Sequence, residues 1–139
     1  QLESTYYIDA YMIRDAIARQ ASFNLVHLET MLKVDVFILK NDPYHHTTLQ
    51  RRRKDTLDEE QNATEYYLVS AEDIILSKLD WYRMGGGVSE RQWKDVLGVL
   101  KVQQSSLDRA YLEHWAIKLH LADLLRRAIA EAGIKTHDT

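Results

Sequence analysis

The sequence contains no cysteine, and that absence excludes a disulfide framework and any chemistry that needs a thiolate. It has no apolar run approaching the length a bilayer requires, so no membrane span is expected. Charge of one sign is also scarce. Eighteen Lys and Arg against 21 Asp and Glu leave a formal net charge of -3, which predicts no long-range attraction to nucleic acid. No signal-peptide pattern opens the chain, so the cytoplasm is the expected compartment. Proline occurs once, at Pro43, and there is no internal repeat. What is present is ordinary for a folded protein: 139 residues, 45% apolar and 28% charged, enough for one domain with its own core.

The stretch from Phe23 to Leu39 holds two apolar, β-rich runs around the polar Glu29-Thr30. This reads as an antiparallel hairpin whose second strand sits in the core. Alternation puts Val34, Val36 and Ile38 on one face and Lys33, Asp35 and Phe37 on the other. Before it, Tyr6-Tyr7-Ile8 reads as an edge strand or the lead into a helix capped by Asp9, carrying Tyr11, Met12, Ile13, Ala16 and Ile17 to about Gln20. After it, Asn41-Asp42-Pro43-Tyr44 is turn chemistry. Residues 44–60 read as a short exposed helix and loop, and Glu65 to Val69 as a strand.

From Ser70 the pattern is helical. Ser70-Ala71-Glu72-Asp73 resembles a capping box with aspartate in place of glutamate, and Gly85-Gly86-Gly87 stops that helix after Met84. Ser89-Glu90-Arg91-Gln92 opens a second helix with the stripe Trp93, Val96, Leu97 and Leu100. A third, with the stripe Leu107, Ala110, Tyr111, Trp115 and Leu119, is expected to be capped by Ser105 or Ser106, and a fourth runs from about Leu121 to Gly133. The expected fold is α+β: a small mixed or antiparallel sheet region over 1–69, a carboxy-terminal bundle of about four helices over 70–134, and a disordered tail over 135–139.

Three positions break their local pattern. Asp35 is a carboxylate in mid-strand between β-branched neighbours, costly to bury unpaired, which points to a metal or a cationic partner. Lys78 falls within the apolar face of Ala71, Ile74, Ile75 and Tyr82, either snorkelling to water or aimed at a phosphate. Arg91 and Asp95 stand four apart on the next helix with Gly98 on the same face, where a glycine suggests close approach of a backbone or ligand. The basic run Arg51 to Lys54 is followed at once by acids and reads as a solvated helix face. His45-His46 in a polar stretch and the lone His27 read as structural.

Phe23-Asn24-Leu25-Val26-His27, Lys33-Val34-Asp35-Val36-Phe37, Ser70 to Leu79 and Arg91-Gln92-Trp93-Lys94-Asp95-Val96-Leu97 together resemble a bacterial family of uncharacterised nucleotidyltransferase-like proteins. That family is similar to the AbiEii-type toxins and, more distantly, to the minimal nucleotidyltransferases. The resemblance runs from about Tyr6 to Ala132 and rests on the order and spacing of its blocks. It implies a partial nucleotidyltransferase fold, an NTP ligand and Mg2+, because phosphoryl transfer is mostly positioning and charge neutralisation by hard cations on carboxylates. By the resemblance, Asp35 is a catalytic, metal-binding carboxylate and Lys78 a catalytic lysine facing the triphosphate. Lys33, Asp73, Arg91 and Asp95 are nucleotide-binding, and Asp35, Lys78 and Arg91 are expected to converge in one cleft. An antitoxin-type protein partner is implied as well.

One departure matters. The family's upstream Gly-Ser and Asp-x-Asp, source of its first two carboxylates, have no match here, and one carboxylate cannot assemble a two-metal site. The chain begins at Gln1 rather than methionine, which fits a start inside a longer reading frame and equally the removal of a tag or initiator. Two readings follow: the carboxy-terminal portion of a nucleotidyltransferase, inactive alone, or a non-catalytic, dimer-forming interaction module. Either would leave a sheet edge exposed, so a homo-oligomer is expected.

Overall fold

The computed structural model describes residues 4–56 and 64–134; the tail expected at 135–139 and the part of the expected loop at 57–60 lie outside the described residues. The fold class is α+β, with antiparallel sheets and a carboxy-terminal helical region. The chain divides into two compact units, Gln1–His46 and Thr47–Thr139. Among the described residues, no helix is long and apolar enough to cross a membrane.

The first unit is built on a three-stranded antiparallel sheet of order β1-β2-β3, made by Tyr6–Tyr7, Ser22–His27 and Lys33–Phe37. Helix α1 (Ala10–Arg19) packs on β2. Asp9 caps it as its side chain accepts from the amides of Tyr11 and Met12, satisfying donors the first turn leaves open. Gln20 ends it in the left-handed region at φ 51°, and the Ala21 amide then bonds the carbonyl of Ala16, the buried residue of the helix. The hairpin forms as expected, with Asn24 opposite Asp35 and Leu25 opposite Val34. Its turn is fastened by His27, whose Nδ1 accepts from the Thr30 amide at 3.2 Å. The expectation that the second strand lies in the core is corrected: β2 is the central strand, and β3 is an edge strand with mostly exposed side chains.

Helix α2 (Pro43–Arg51) begins in the first unit and ends in the second. Asp42 opens it: its carboxylate takes the His45 amide at 2.9 Å and His45 Nδ1 at 2.8 Å. Burial pushes the Asp42 carboxyl up, but those His45 bonds and charge outweigh it and the net position is below the ordinary 3.8.

In the second unit, Arg53–Thr56 is a strand, β4, paired antiparallel with β5 (Glu65–Leu68). The basic run read as a helix face therefore divides: Arg51 ends α2, whereas Arg53 and Lys54 enter the strand pair, where Lys54 meets Glu65 at 3.0 Å across the strands. Four helices follow: α3 (Ala71–Met84), α4 (Glu90–Gln103), α5 (Arg109–Lys118) and α6 (Ala122–Glu131). Helix α3 is the hub, packing on α4 and α5, with α6 closing against both of those. Ile75, Leu76 and Leu79 of α3 are fully buried with Val96, Leu100, Leu112, Ala116 and Leu121. A typical side chain of this kind contributes about 2 kcal/mol when removed from water. Ser70 caps α3 through the Asp73 amide, and Ser89 caps α4 through the Gln92 amide. The cap of α5 is Asp108 rather than Ser105 or Ser106, its side chain accepting from the Tyr111 amide. The glycine run turns the chain with Gly86 and Gly87 at φ 75° and 73°, while Gly87 lies under the Tyr82 ring.

Candidate functional site

The residues singled out in the sequence fall in both units. Asp35 and Lys33 belong to the first; Asp73, Lys78, Arg91 and Asp95 belong to the second.

On β3, alternation places Lys33 and Asp35 on the same face two residues apart, and their side chains meet at 3.2 Å. Both are open to solvent, at 57% and 53% exposure, so the cost of burial that made Asp35 anomalous does not arise. An exposed pair of this geometry contributes up to about 1 kcal/mol. Among the described residues there is no group of three or more His, Asp or Glu side chains arranged to hold a metal ion.

On α3, Lys78 is 23% exposed, its stem against the helix pair and its ammonium directed at α4. Nζ reaches Asp95 Oδ2 at 2.7 Å and Gln92 Oε1 at 3.3 Å. Gln92 and Asp95 are three apart on α4, so one helix face offers both oxygens to one cation. The Lys78 hydrogen bond, then its charge, hold the Asp95 carboxyl below the ordinary 3.8; burial opposes slightly and the field of Arg91 adds to the lowering. Asp95 thus takes its cation from the neighbouring helix, and Arg91 is exposed and acts on it only through its field. Gly98 does not mark a close approach: a Cβ built there meets nothing within 4 Å.

Asp73 lies elsewhere on α3, fully buried at its amino-terminal end. Its Oδ2 accepts from the Ser70 hydroxyl and its Oδ1 from the Tyr111 hydroxyl, both at 2.7 Å. Beside it, the Arg51 guanidinium carbon lies over the Tyr111 ring, 3.8 Å from its centroid, with Nη2 donating to Glu72 Oε2 at 3.2 Å. The other Glu72 oxygen accepts the Asp108 amide at 2.8 Å, which ties the start of α5 to the start of α3. Burial pushes the Glu72 carboxyl up, but the Asp108 amide, its own amide, the Ser70 hydroxyl and the Arg51 charge together bring it below 4.5. This cluster of Arg51, Glu72, Asp73, Asp108 and Tyr111 joins three elements, and each of its acids accepts hydrogen bonds within it.

Lys78 and Asp95 are therefore brought together, with Gln92 as a third member, whereas Asp73 is engaged in the buried network. Of that network only Asp73 was singled out in the sequence. Glu72 had a signal as an acid in the first helical turn, but Arg51 and Tyr111 had none beyond a charge run and an apolar stripe. Comparison of the chain with protein-family models, with curated proteins and with solved structures finds no match to any of them.

Proposed function

We propose that this chain is the carboxy-terminal portion of a nucleotidyltransferase-fold protein whose whole form transfers a nucleotide from an NTP to a protein or RNA hydroxyl, and that the portion alone is catalytically silent. The observation that supports this reading is the Lys78–Asp95 contact at 2.7 Å. It joins two of the blocks on which the resemblance rests, separated in sequence and presented by different helices. A lysine steered by a carboxylate and an amide oxygen is pre-oriented, and its compact ammonium is suited to meet triphosphate oxygens as a point charge. In this reading Asp95 and Gln92 aim Lys78, Arg91 adds positive field at the rim, and Asp73 fixes the start of the helix that carries the lysine.

Mg2+ fits less well. Asp35 is one carboxylate with an ammonium 3.2 Å away, and a two-metal centre needs several acidic ligands. The ion would enter with the carboxylates of the family's Asp-x-Asp, which is why the portion alone is proposed to be silent. The bacterial cytoplasm is the compartment this reading implies, and an antitoxin-type protein the associated partner.

A second reading, a non-catalytic interaction module, is favoured by one feature: both candidate pairs, Lys33–Asp35 and Lys78–Asp95, are already neutralised within the chain. Calorimetry with Mg2+ and ATP separates the two. Nucleotide binding is expected to give heat with the wild-type chain, reduced at least tenfold in affinity by Lys78→Met and little changed by Asp35→Asn. No heat at millimolar ATP would reject the nucleotide reading in favour of the module. Incorporation of labelled nucleotide into any acceptor by this chain alone would overturn the proposed silence.

A further inference from the structure

We propose that the outer edge of β3 is a self-recognition surface that joins two copies of the chain in one defined register, independently of any nucleotide chemistry. The backbone comes first. The Ile38 amide bonds the Ala21 carbonyl and the His27 amide bonds the Leu32 carbonyl, which fixes the phase of the β2–β3 ladder. Hydrogen-bonded pairs recur every second residue, so Val34 and Val36 turn their main-chain groups toward β2. Lys33 and Asp35 therefore turn theirs outward. Among the described residues, no strand pairs with that side of β3.

The side chains then select the register. An antiparallel pair related by a twofold axis at Val34 sets Lys33 opposite Asp35 of the second copy, and Asp35 opposite its Lys33. These are the residues with outward main-chain groups, so each facing pair exchanges both main-chain bonds as well as matching charge. On the opposite face Val34 meets its own copy, and Leu32 meets Val36. Val34 is 46% exposed and Leu32 68%, so this pairing covers apolar surface now in water. Moving the axis to Asp35 would set Asp35 against itself. Moving it to Val36 would leave Lys33 beyond the strand's acids. A one-residue slip would set outward groups against inward ones and mix the faces.

The other hairpin lacks this self-complementarity. In β4, matching Arg53 to Asp55 of a second copy would set Lys54 against itself. Charged residues on an edge commonly discourage pairing, but a like-charged edge does so against every copy of itself. The alternation on β3 instead discriminates between registers. The result would be a continuous sheet with three strands from each copy.

Sedimentation equilibrium from micromolar to near-millimolar chain tests this. Wild type is expected to self-associate. Lys33→Asp and Asp35→Lys each turn both facing pairs into like charges and are expected to weaken association about tenfold or more. An equimolar mixture of the two single variants restores opposite charge at every facing position, so it is expected to form a heterodimer although neither variant pairs with itself. Circular dichroism of each variant establishes that the fold is retained. A wild type that stays monomeric throughout would overturn the proposal. A dimer indifferent to both reversals, or a mixture that fails to combine, would place the interface elsewhere and overturn it equally.

Discussion

Glu72→Gln is the most informative single change in the second unit, because one carboxylate joins the end of α2 and the start of α5 to the start of α3. Its Oε2 lies 3.2 Å from Arg51 Nη2 and its Oε1 2.8 Å from the Asp108 amide. At an effective dielectric near 20, unit charges about 4 Å apart attract by roughly 4 kcal/mol. Desolvation returns most of that, and the partial exposure of Arg51 keeps the net at about 1 to 2 kcal/mol. Glutamine can still accept the Asp108 amide, but a neutral acceptor weakens the bond, adding about 0.5 to 1 kcal/mol. A total near 2 kcal/mol corresponds to a fall of roughly 6–10 °C in Tm. Urea unfolding at neutral pH measures it, and a double-mutant cycle with Arg51→Met is expected to return a coupling of about 1 kcal/mol. The pH dependence supplies a sign. The Glu72 carboxyl lies below its ordinary 4.5 in the folded chain, so its contribution is complete above the unfolded value and is lost as pH falls through the folded one. The difference between wild type and Glu72→Gln should therefore be largest near neutrality and shrink on acidification below about 4.5. Equal stability at neutral pH, or a difference that widens in acid, would refute the role given to this carboxylate.

Gly98→Ala is expected to raise stability by about 0.5–1 kcal/mol, since alanine is the better helix former and its Cβ meets no neighbour within 4 Å; destabilisation in urea unfolding would mean the face is occupied. Tyr111→Phe removes a hydroxyl that donates to the buried Asp73 carboxylate and is expected to cost about 1.5–3 kcal/mol, read from the urea midpoint at constant m-value. Asp95 should titrate below its ordinary 3.8 by carboxyl 13C NMR and move up toward it in Lys78→Met, because the lysine is the main cause of the lowering. An unmoved midpoint would show that the contact does not persist in solution.

Much of the fold was legible because its signals are local. Asp9, Ser70 and Ser89 cap the helices they precede, each bonding an amide two or three residues on, and a two- or three-residue reach is visible in any sequence. The cap of α5 was misplaced for a related reason. Ser105, Ser106 and Asp108 are all competent oxygens, and the choice fell to Asp108, whose own amide is held by Glu72 from another helix. Strand β4 was hidden because Arg53-Lys54-Asp55-Thr56 carries no apolar alternation; its face is set by pairing with Glu65–Leu68. The buried network failed the same way. Arg51 sits in a charge run that looks solvated, and only the packing of α3 against α5 brings Tyr111 beneath it.

Asp35 shows where pattern runs out as a guide to function. Alternation established that Lys33 and Asp35 share a face, and they do. It could not establish whether a further strand lay beyond β3. Under a packed layer, an aspartate in mid-strand costs several kcal/mol unless a cation meets it, and that makes a ligand the simplest explanation. Open to solvent, as here, the same residue costs almost nothing, and its position beside a lysine on an edge strand becomes information of another kind, about which strand can align there and in which register. Whether a layer covers that face and whether a strand lies beyond β3 are both non-local properties, and together they decide between these meanings. Lys78 is the converse case. Its place in an apolar face left snorkelling and ligand binding open, and the partner that distinguishes them, Asp95, came from 17 residues away on another helix. A misplaced charge therefore locates a position where the neighbourhood matters, while the neighbour's identity decides whether that position is a site, a clasp or an interface.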